Sequence, residues 1–143
     1  METQEIKLEV GVKAFITNND GKYLVLKRAK PYPGLTETMW DIPGGRINPG
    51  EPLRDALSRE IFEETKMIMT GEPKIIYSQD ILRVEGRHTV RLTYLANANG
   101  EITLDQDEHT EYSWVSLNEL SNLYHDKYLE PVIPLLVNNE TVK

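Results

Sequence analysis

Residues 44–67 read GGRINPGEPLRDALSREIFEETKM, a glycine- and proline-rich turn running straight into a helix-forming stretch. Leu53, Leu57 and Ile61 recur every four residues, so the spacing predicts a helix over residues 52–66 with Pro52 at its first position. Glu60, Glu63 and Glu64 then stand three and four residues apart on it. At about 100° per residue all three project from one face, beside the apolar stripe. Like charges so placed repel by roughly 0.2–0.5 kcal/mol per pair. Next to a buried stripe, where the dielectric falls, the repulsion is larger. A divalent cation removes it: Mg²⁺ takes hard oxygen ligands and is typically shared with substrate phosphates. The plain alternative is a solvated acidic helix face. The turn ahead favours the cation, because glycine lets backbone groups approach a ligand and a helix N-terminus favours anions. The segment is not a P-loop. Gly45 and Gly50 have the GxxxxG spacing, but Glu51-Pro52 follow where Lys and Ser or Thr belong.

Upstream, residues 6–16, IKLEVGVKAFI, alternate, so Ile6, Leu8, Val10, Val12, Ala14 and Ile16 point one way and predict a half-buried strand. Asn18-Asn19-Asp20-Gly21 is a hairpin turn signal, and residues 22–28, KYLVLKR, read as the partner strand. Residues 29–50 form a loop of a length usually reserved for function. Downstream, residues 74–83 and 88–96 read as two strands around Val84-Glu85-Gly86-Arg87, and YSWV at 112–115 as a short one. Ser116-Leu117-Asn118-Glu119 is a capping box that predicts a short helix. In the tail YLEPVIPLLV, Pro131 and Pro134 argue against a long regular helix. The order of elements predicts an α+β fold, a mixed sheet with helices packed on its faces as an α/β/α sandwich.

A chain of 143 residues with 39% hydrophobic and 27% charged residues is expected to be one soluble domain spanning 1–143. A net charge of −7 argues against a nucleic-acid polymer as partner, though a bound cation would still admit a small anionic ligand. The absence of cysteine excludes disulfides, thiolate nucleophiles and cysteine zinc sites. METQEIKLEV holds no apolar signal core, and no run approaches the ~18 apolar residues of a membrane span, so a cytoplasmic location is expected. The Asn139-Glu140-Thr141 sequon accordingly lacks a secretory context. The apolar tail and strand edges permit a homodimer.

Residues 45–67 resemble the Nudix box of the Nudix (MutT-like) hydrolases: Gly45, five residues, Glu51, seven residues, then Arg59-Glu60-Ile61-Phe62-Glu63-Glu64-Thr65-Lys66-Met67. One position departs from the pattern, with Lys66 where the family has glycine. The resemblance implies a Nudix fold and Mg²⁺- or Mn²⁺-dependent hydrolysis of a small-molecule nucleoside diphosphate derivative. It implies Glu60, Glu63, Glu64 and the Gly44 carbonyl as metal ligands, and a Glu51–Arg59 salt bridge that orients the helix. It further implies an acidic residue from the loop before the Trp114 strand, best fitted by Glu108, with Glu111 and Asp107 as alternatives. A carboxylate of the box or of that loop would take the proton from the attacking water. Nucleoside triphosphates, oxidised purines among them, cleaved to monophosphate and pyrophosphate, are the first substrate expectation. ADP-ribose or nucleotide-sugars are the second. The downstream proline that marks the ADP-ribose type is absent around Ile81–Val84. A non-catalytic, regulatory Nudix-fold module is the reading from another class; such modules lose box carboxylates, which are all present here.

Lys66 either caps the helix in a left-handed conformation or lets it run on toward Gly71. Arg28, Arg83, Arg87 and Arg91 could meet substrate phosphates, although each alone reads as a surface charge. Trp40 and Tyr112 could stack on a base; Trp40 reads better as packing at the root of the loop, and Trp114 as core. His88, His109 and His125 show no zinc spacing and read as surface or hydrogen-bonded histidines.

Overall fold

The computed structural model describes residues 5–141. The chain forms strands β1 (Lys7–Ile16), β2 (Tyr23–Arg28), β3 (Trp40–Asp41) and β4 (Gly44–Arg46), then helix α1 (Leu53–Thr65). Strands β5 (Ile68–Ile81), β6 (Arg87–Asn99) and β7 (His109–Val115) follow, then helices α2 (Leu117–Asn122) and α3 (Ile133–Thr141), with a 3₁₀ turn at Lys127–Leu129 between them. Residues 1–4, and the side chains of the Asn139-Glu140-Thr141 sequon, lie outside the described residues. No helix among the described residues is long and apolar enough to cross a membrane.

β1 is the axis of a four-stranded mixed sheet in the order β4-β1-β6-β5. It runs antiparallel to β4 and parallel to β6, with Gly11 opposite Arg91. A second sheet has the order β3-β2-β7. Val12, Ala14 and Ile16 of β1 pack with Leu24, Leu26 and the Ala56, Leu57 and Ile61 stripe of α1. Phe15 packs the other way, with Val25, Ile42 and the α2 and α3 residues Leu117, Leu120 and Leu136. Helices therefore cover both sides of the strands, as expected for the α/β/α sandwich.

Several local expectations are corrected. β1 is not half-buried along its length. Its second half is dry on both faces, whereas Ile6 and Leu8 are 65% and 66% exposed because they lie beyond both buried clusters. The Asn18 turn forms, its Oδ1 accepting the Asp20 and Lys22 amides at 3.0 and 2.9 Å, but β2 does not pair along β1. Among the described residues they share a single bridge, Thr17 to Tyr23 at the turn, since β4 and β6 already occupy the edges of β1. β5 begins six residues earlier than predicted. Gly71 and Pro73 sit in a register shift between Thr70 and Lys74, where a missing amide is tolerated. β7 likewise starts at His109, and residues 29–50 contain β3 and β4. Pro134 falls in the first turn of α3, where it blocks no helical bond, so the tail holds a nine-residue helix.

α1 starts at Leu53, with Pro52 extended at its cap (φ −61°, ψ 147°) instead of inside the first turn. It ends at Lys66, whose φ of 66° makes it the one non-glycine residue with positive φ among those described. The Lys66 amide donates to Phe62 O at 2.8 Å. The helix does not continue toward Gly71. The capping box on Ser116 and Glu119 closes at 3.1 Å in both directions.

Candidate active site

The end of α1, the β4 turn and the start of β7 converge on a cavity of about 1070 Å³. Ile61 anchors α1 in the core, which carries Glu64, three residues on, to the buried border of the helix. The Gly44 amide donates to Glu64 Oε1 at 2.6 Å. Gly44 has a φ of 147°, and a Cβ there would sit 2.0 Å from Val12 O, so only glycine lets the turn come this close. A Cβ on Gly45 would meet Glu60 Oε2 at 2.5 Å, so the second glycine makes room for the Glu60 carboxylate.

The acids of α1 occupy unequal environments. Burial pushes the Glu64 carboxyl up to about 8, with Lys13 and the Gly44 amide offsetting part of that rise. Burial also raises Glu60, against the pull of Arg59. Glu63 is exposed and pairs with Arg59 Nη1 at 3.1 Å. Arg59 grips Glu51 through two bonds, Nε to Oε2 at 2.7 Å and Nη2 to Oε1 at 2.9 Å. It also donates to Glu60 at 2.9 Å and to Arg46 O at 3.1 Å, which ties the helix to the turn. The hydrogen bonds from Arg59 hold the Glu51 carboxyl down at about 2.

From β7, Glu108 and His109 each bring a ligand atom within 4.8 Å of Glu64. Asp107 also lines the cavity, whereas Glu111 pairs with Lys27 at 3.6 Å and does not. His109 is buried, not a surface histidine. Its Nδ1 lies 3.8 Å from Glu64 Oε2 without a hydrogen bond, and burial pushes it down to about 4, so it is neutral near pH 7.

The lining is also basic, with Arg28 directly across the β2–β7 ladder from His109. Arg28, Arg83, Arg87 and Arg91 all line the cavity, and Arg91 is buried. Arg28 and Arg83 lie over the Tyr32 ring at 4.0 and 4.2 Å, and Arg83 also over Tyr128 at 4.5 Å. Arg83 holds the buried Asp126 at 2.8 Å. Lys13 donates to Asp41 at 3.0 Å and to Ile42 O at 3.1 Å. Burial is the largest influence on Lys13 and alone would lower it, but Asp41, Glu64 and Tyr32 together outweigh it, and the pair stays charged. Sequence reasoning missed Lys13 and Glu9, because they sit in the polar half of an alternating pattern that reads as solvent-facing, and Asp41, because it lies in a stretch read as loop. Trp40 packs at the loop root, exchanging backbone bonds with Tyr124 and Asp126. Trp114 is half-buried against the α1 cluster, and Tyr112 is 47% exposed away from the cavity. His88 pairs with Asp80 at 2.7 Å and His125 with Glu130 at 2.6 Å, neither near the acidic cluster.

The family model for the NUDIX domain matches residues 7–136. Nucleoside triphosphatase NudI from Escherichia fergusonii is 33% identical over 116 residues, covering 74% of this chain and 81% of the relative. Among solved structures, the MutT protein from Methanosarcina mazei Go1 superposes with a TM-score of 0.80 at 26% identity, covering 96% of this chain and 99% of that one. The MutT NUDIX hydrolase from Burkholderia pseudomallei superposes at 0.68 with 30% identity, covering 78% of this chain and 85% of that one.

Proposed function

The chain belongs to the Nudix family, hydrolases acting on phosphoric anhydrides, and from that premise we propose that it cleaves nucleoside triphosphates to monophosphate and pyrophosphate with Mg²⁺ or Mn²⁺. One observation carries the reading: a buried glutamate, Glu64, pinned by the Gly44 amide beside Glu108 and His109 in the wall of a large cavity. The relative named a nucleoside triphosphatase supports the choice of substrate.

The residues fit a hard divalent cation. The candidate donors are the carboxylates of Glu60, Glu63, Glu64 and Glu108 and the Gly44 carbonyl, all oxygen. The glycine cradle leaves space for Glu60, and Glu64 is a buried carboxylate that charge compensation would favour as an anion. When bound, such a cation lowers the pKa of a coordinated water and offsets charge on phosphate oxygens. Glu51 and Arg59 hold α1 against the turn, so the carboxylates keep their spacing to Gly44. A carboxylate of α1 or of the loop before β7 accepts the proton of the attacking water.

The test is a substrate panel: nucleoside triphosphates, ADP-ribose and nucleotide-sugars, each with and without Mg²⁺. Phosphate is measured after added pyrophosphatase or phosphatase. Metal-dependent turnover should be highest on triphosphates and release pyrophosphate. Preference for a capped diphosphate would overturn the substrate assignment, and no turnover on any member would overturn the reading.

A further inference from the structure

Arg91 is 7% exposed, lines the cavity, and has a buried Nη1 that finds no hydrogen bond among the described residues. Asp126 Oδ2 lies 3.9 Å away, too far to accept well, and Asp126 is already taken by Arg83 at 2.8 and 3.1 Å and by the Tyr128 amide at 3.0 Å. Asp41 is taken by Lys13, and Glu9 is shared by Arg46 at 3.1 Å and Arg87 at 2.9 Å. Among the described residues, the ion pairs of Lys13, Arg46, Arg83, Arg87 and Arg91 fall on Glu9, Asp41 and Asp126, and Arg91 otherwise meets the Tyr128 ring at 5.9 Å and the charge of Asp41 without a hydrogen bond. A desolvated cation without a full partner is unfavourable, and an anion would complete the set.

Beside Arg91, across the parallel ladder, lies Gly11. Its φ is not positive, and an added Cβ would meet Gly45 O and Thr89 Cγ2 at an ordinary 3.6 Å. Neither backbone conformation nor packing requires glycine there, unlike at Gly44. Glycine inside a strand is less stabilising than alanine. Gly11 is buried but lines the cavity next to the arginine whose donor is unused, and without a side chain its backbone forms part of that lining, which is how a strand admits a ligand close to its backbone.

We propose that Arg91 and the cavity-lining backbone at Gly11 form an anion subsite for a substrate phosphate other than the one attacked. The proposal rests on the phosphoanhydride reading above and narrows it to nucleotides with a free terminal phosphate. A guanidinium matches phosphate oxygens bidentately, whereas a sugar cap would bring no charge to satisfy it.

Calorimetry with inorganic tripolyphosphate, on the full chain in chelator, tests the subsite apart from catalysis. Wild type should bind, and Arg91→Gln and Gly11→Val should each weaken binding by about tenfold or more, the scale of one lost charge-assisted contact. Gly11→Ala should bind like wild type. In turnover, Gly11→Val should raise KM for a nucleoside triphosphate and leave that for a nucleotide-sugar unchanged. If Arg91→Gln fails to fold, Gly11→Val, which keeps every charge, decides. Wild type that does not bind tripolyphosphate, or Gly11→Val that binds it unchanged, overturns the proposal. Tripolyphosphate binding that is lost in the variants, in a protein that turns over no nucleotide, would overturn the proposed function and leave the subsite standing.

Discussion

Lys66 holds a left-handed backbone conformation that its Cβ disfavours by roughly 1–2 kcal/mol. Its ammonium lies 5.1 Å from the centre of the exposed Phe62 ring and touches none of the α1 carboxylates. Lys66→Gly should therefore stabilise the protein, by about 0.5–1 kcal/mol once glycine's greater freedom in the unfolded chain is subtracted. The midpoint of urea unfolding should rise while kcat stays unchanged; a lower midpoint would show that the lysine contributes something the backbone does not reveal. Glu64 is the opposite case, buried at the cavity and assigned above to cation binding. Glu64→Gln keeps an acceptor for the Gly44 amide but removes a charge that burial disfavours. Turnover should fall by about 10²–10⁴-fold, the usual worth of a positioned catalytic group. The melting temperature in chelator should not fall; an active variant, or one markedly destabilised without metal, would contradict the assignment. Glu64 drew attention in the sequence through its spacing to Glu60 and Glu63, and Lys66 only because the resembled Nudix box has glycine at its position. His109 was not legible: nothing local distinguishes a buried imidazole at a strand start from an exposed one.

The ends of α1 show how single pairs position an element. Arg59 is held by Glu51 ahead of the helix, and its hydrogen bonds keep the Glu51 carboxyl at about 2 instead of the ordinary value near 4.5. The folded state therefore binds this proton less readily than the unfolded chain does. The pair's contribution is fully present above pH 4.5 and is lost as pH falls through 2. Thermal melts of wild type and Glu51→Gln should differ most above pH 5 and converge toward pH 2; a constant gap across that range would show that the pair does not act through charge. At α2, Ser116→Ala breaks the capping box and should lower stability by about 1 kcal/mol, read from the urea midpoint. Such elements declare themselves locally: the apolar stripe identified α1, and the Ser-x-x-Glu spacing identified α2. β3 and β4, two and three residues long, carry no period to read. The first residues of β5 were hidden by Gly71 and Pro73, which look like a break but sit in a bulge.

At the scale of the whole molecule, the chain carries a net charge of −7, yet its cavity lining is rich in arginine. That contrast depends on pairings distant in sequence. The parallel ladder sets β6 beside β1, Gly11 against Arg91, and so brings the arginines of one segment into one cavity with the carboxylates of another. Alternation along a strand tells which residues share a face; it does not tell which strand lies next to it, so the helix of glutamates was readable, whereas Arg28, Arg83, Arg87 and Arg91 could be named one by one but not brought together. With α1 folded and Glu64 buried before any ligand arrives, binding of a cation should act on the native state alone. Mg²⁺ should then raise the melting temperature, by an amount equivalent to about 2.7 kcal/mol at a hundredfold excess over its dissociation constant. Chelator should reverse the shift. Glu64→Gln combined with Glu108→Gln should abolish it, because the two carboxylates nearest each other in the cavity wall are then both uncharged. Differential scanning calorimetry over a Mg²⁺ series reads this directly. An equal shift in the double variant would place the cation elsewhere, and no shift in wild type would mean that the carboxylates need the substrate's phosphates before they hold a metal, as expected where Mg²⁺ is shared between protein and ligand.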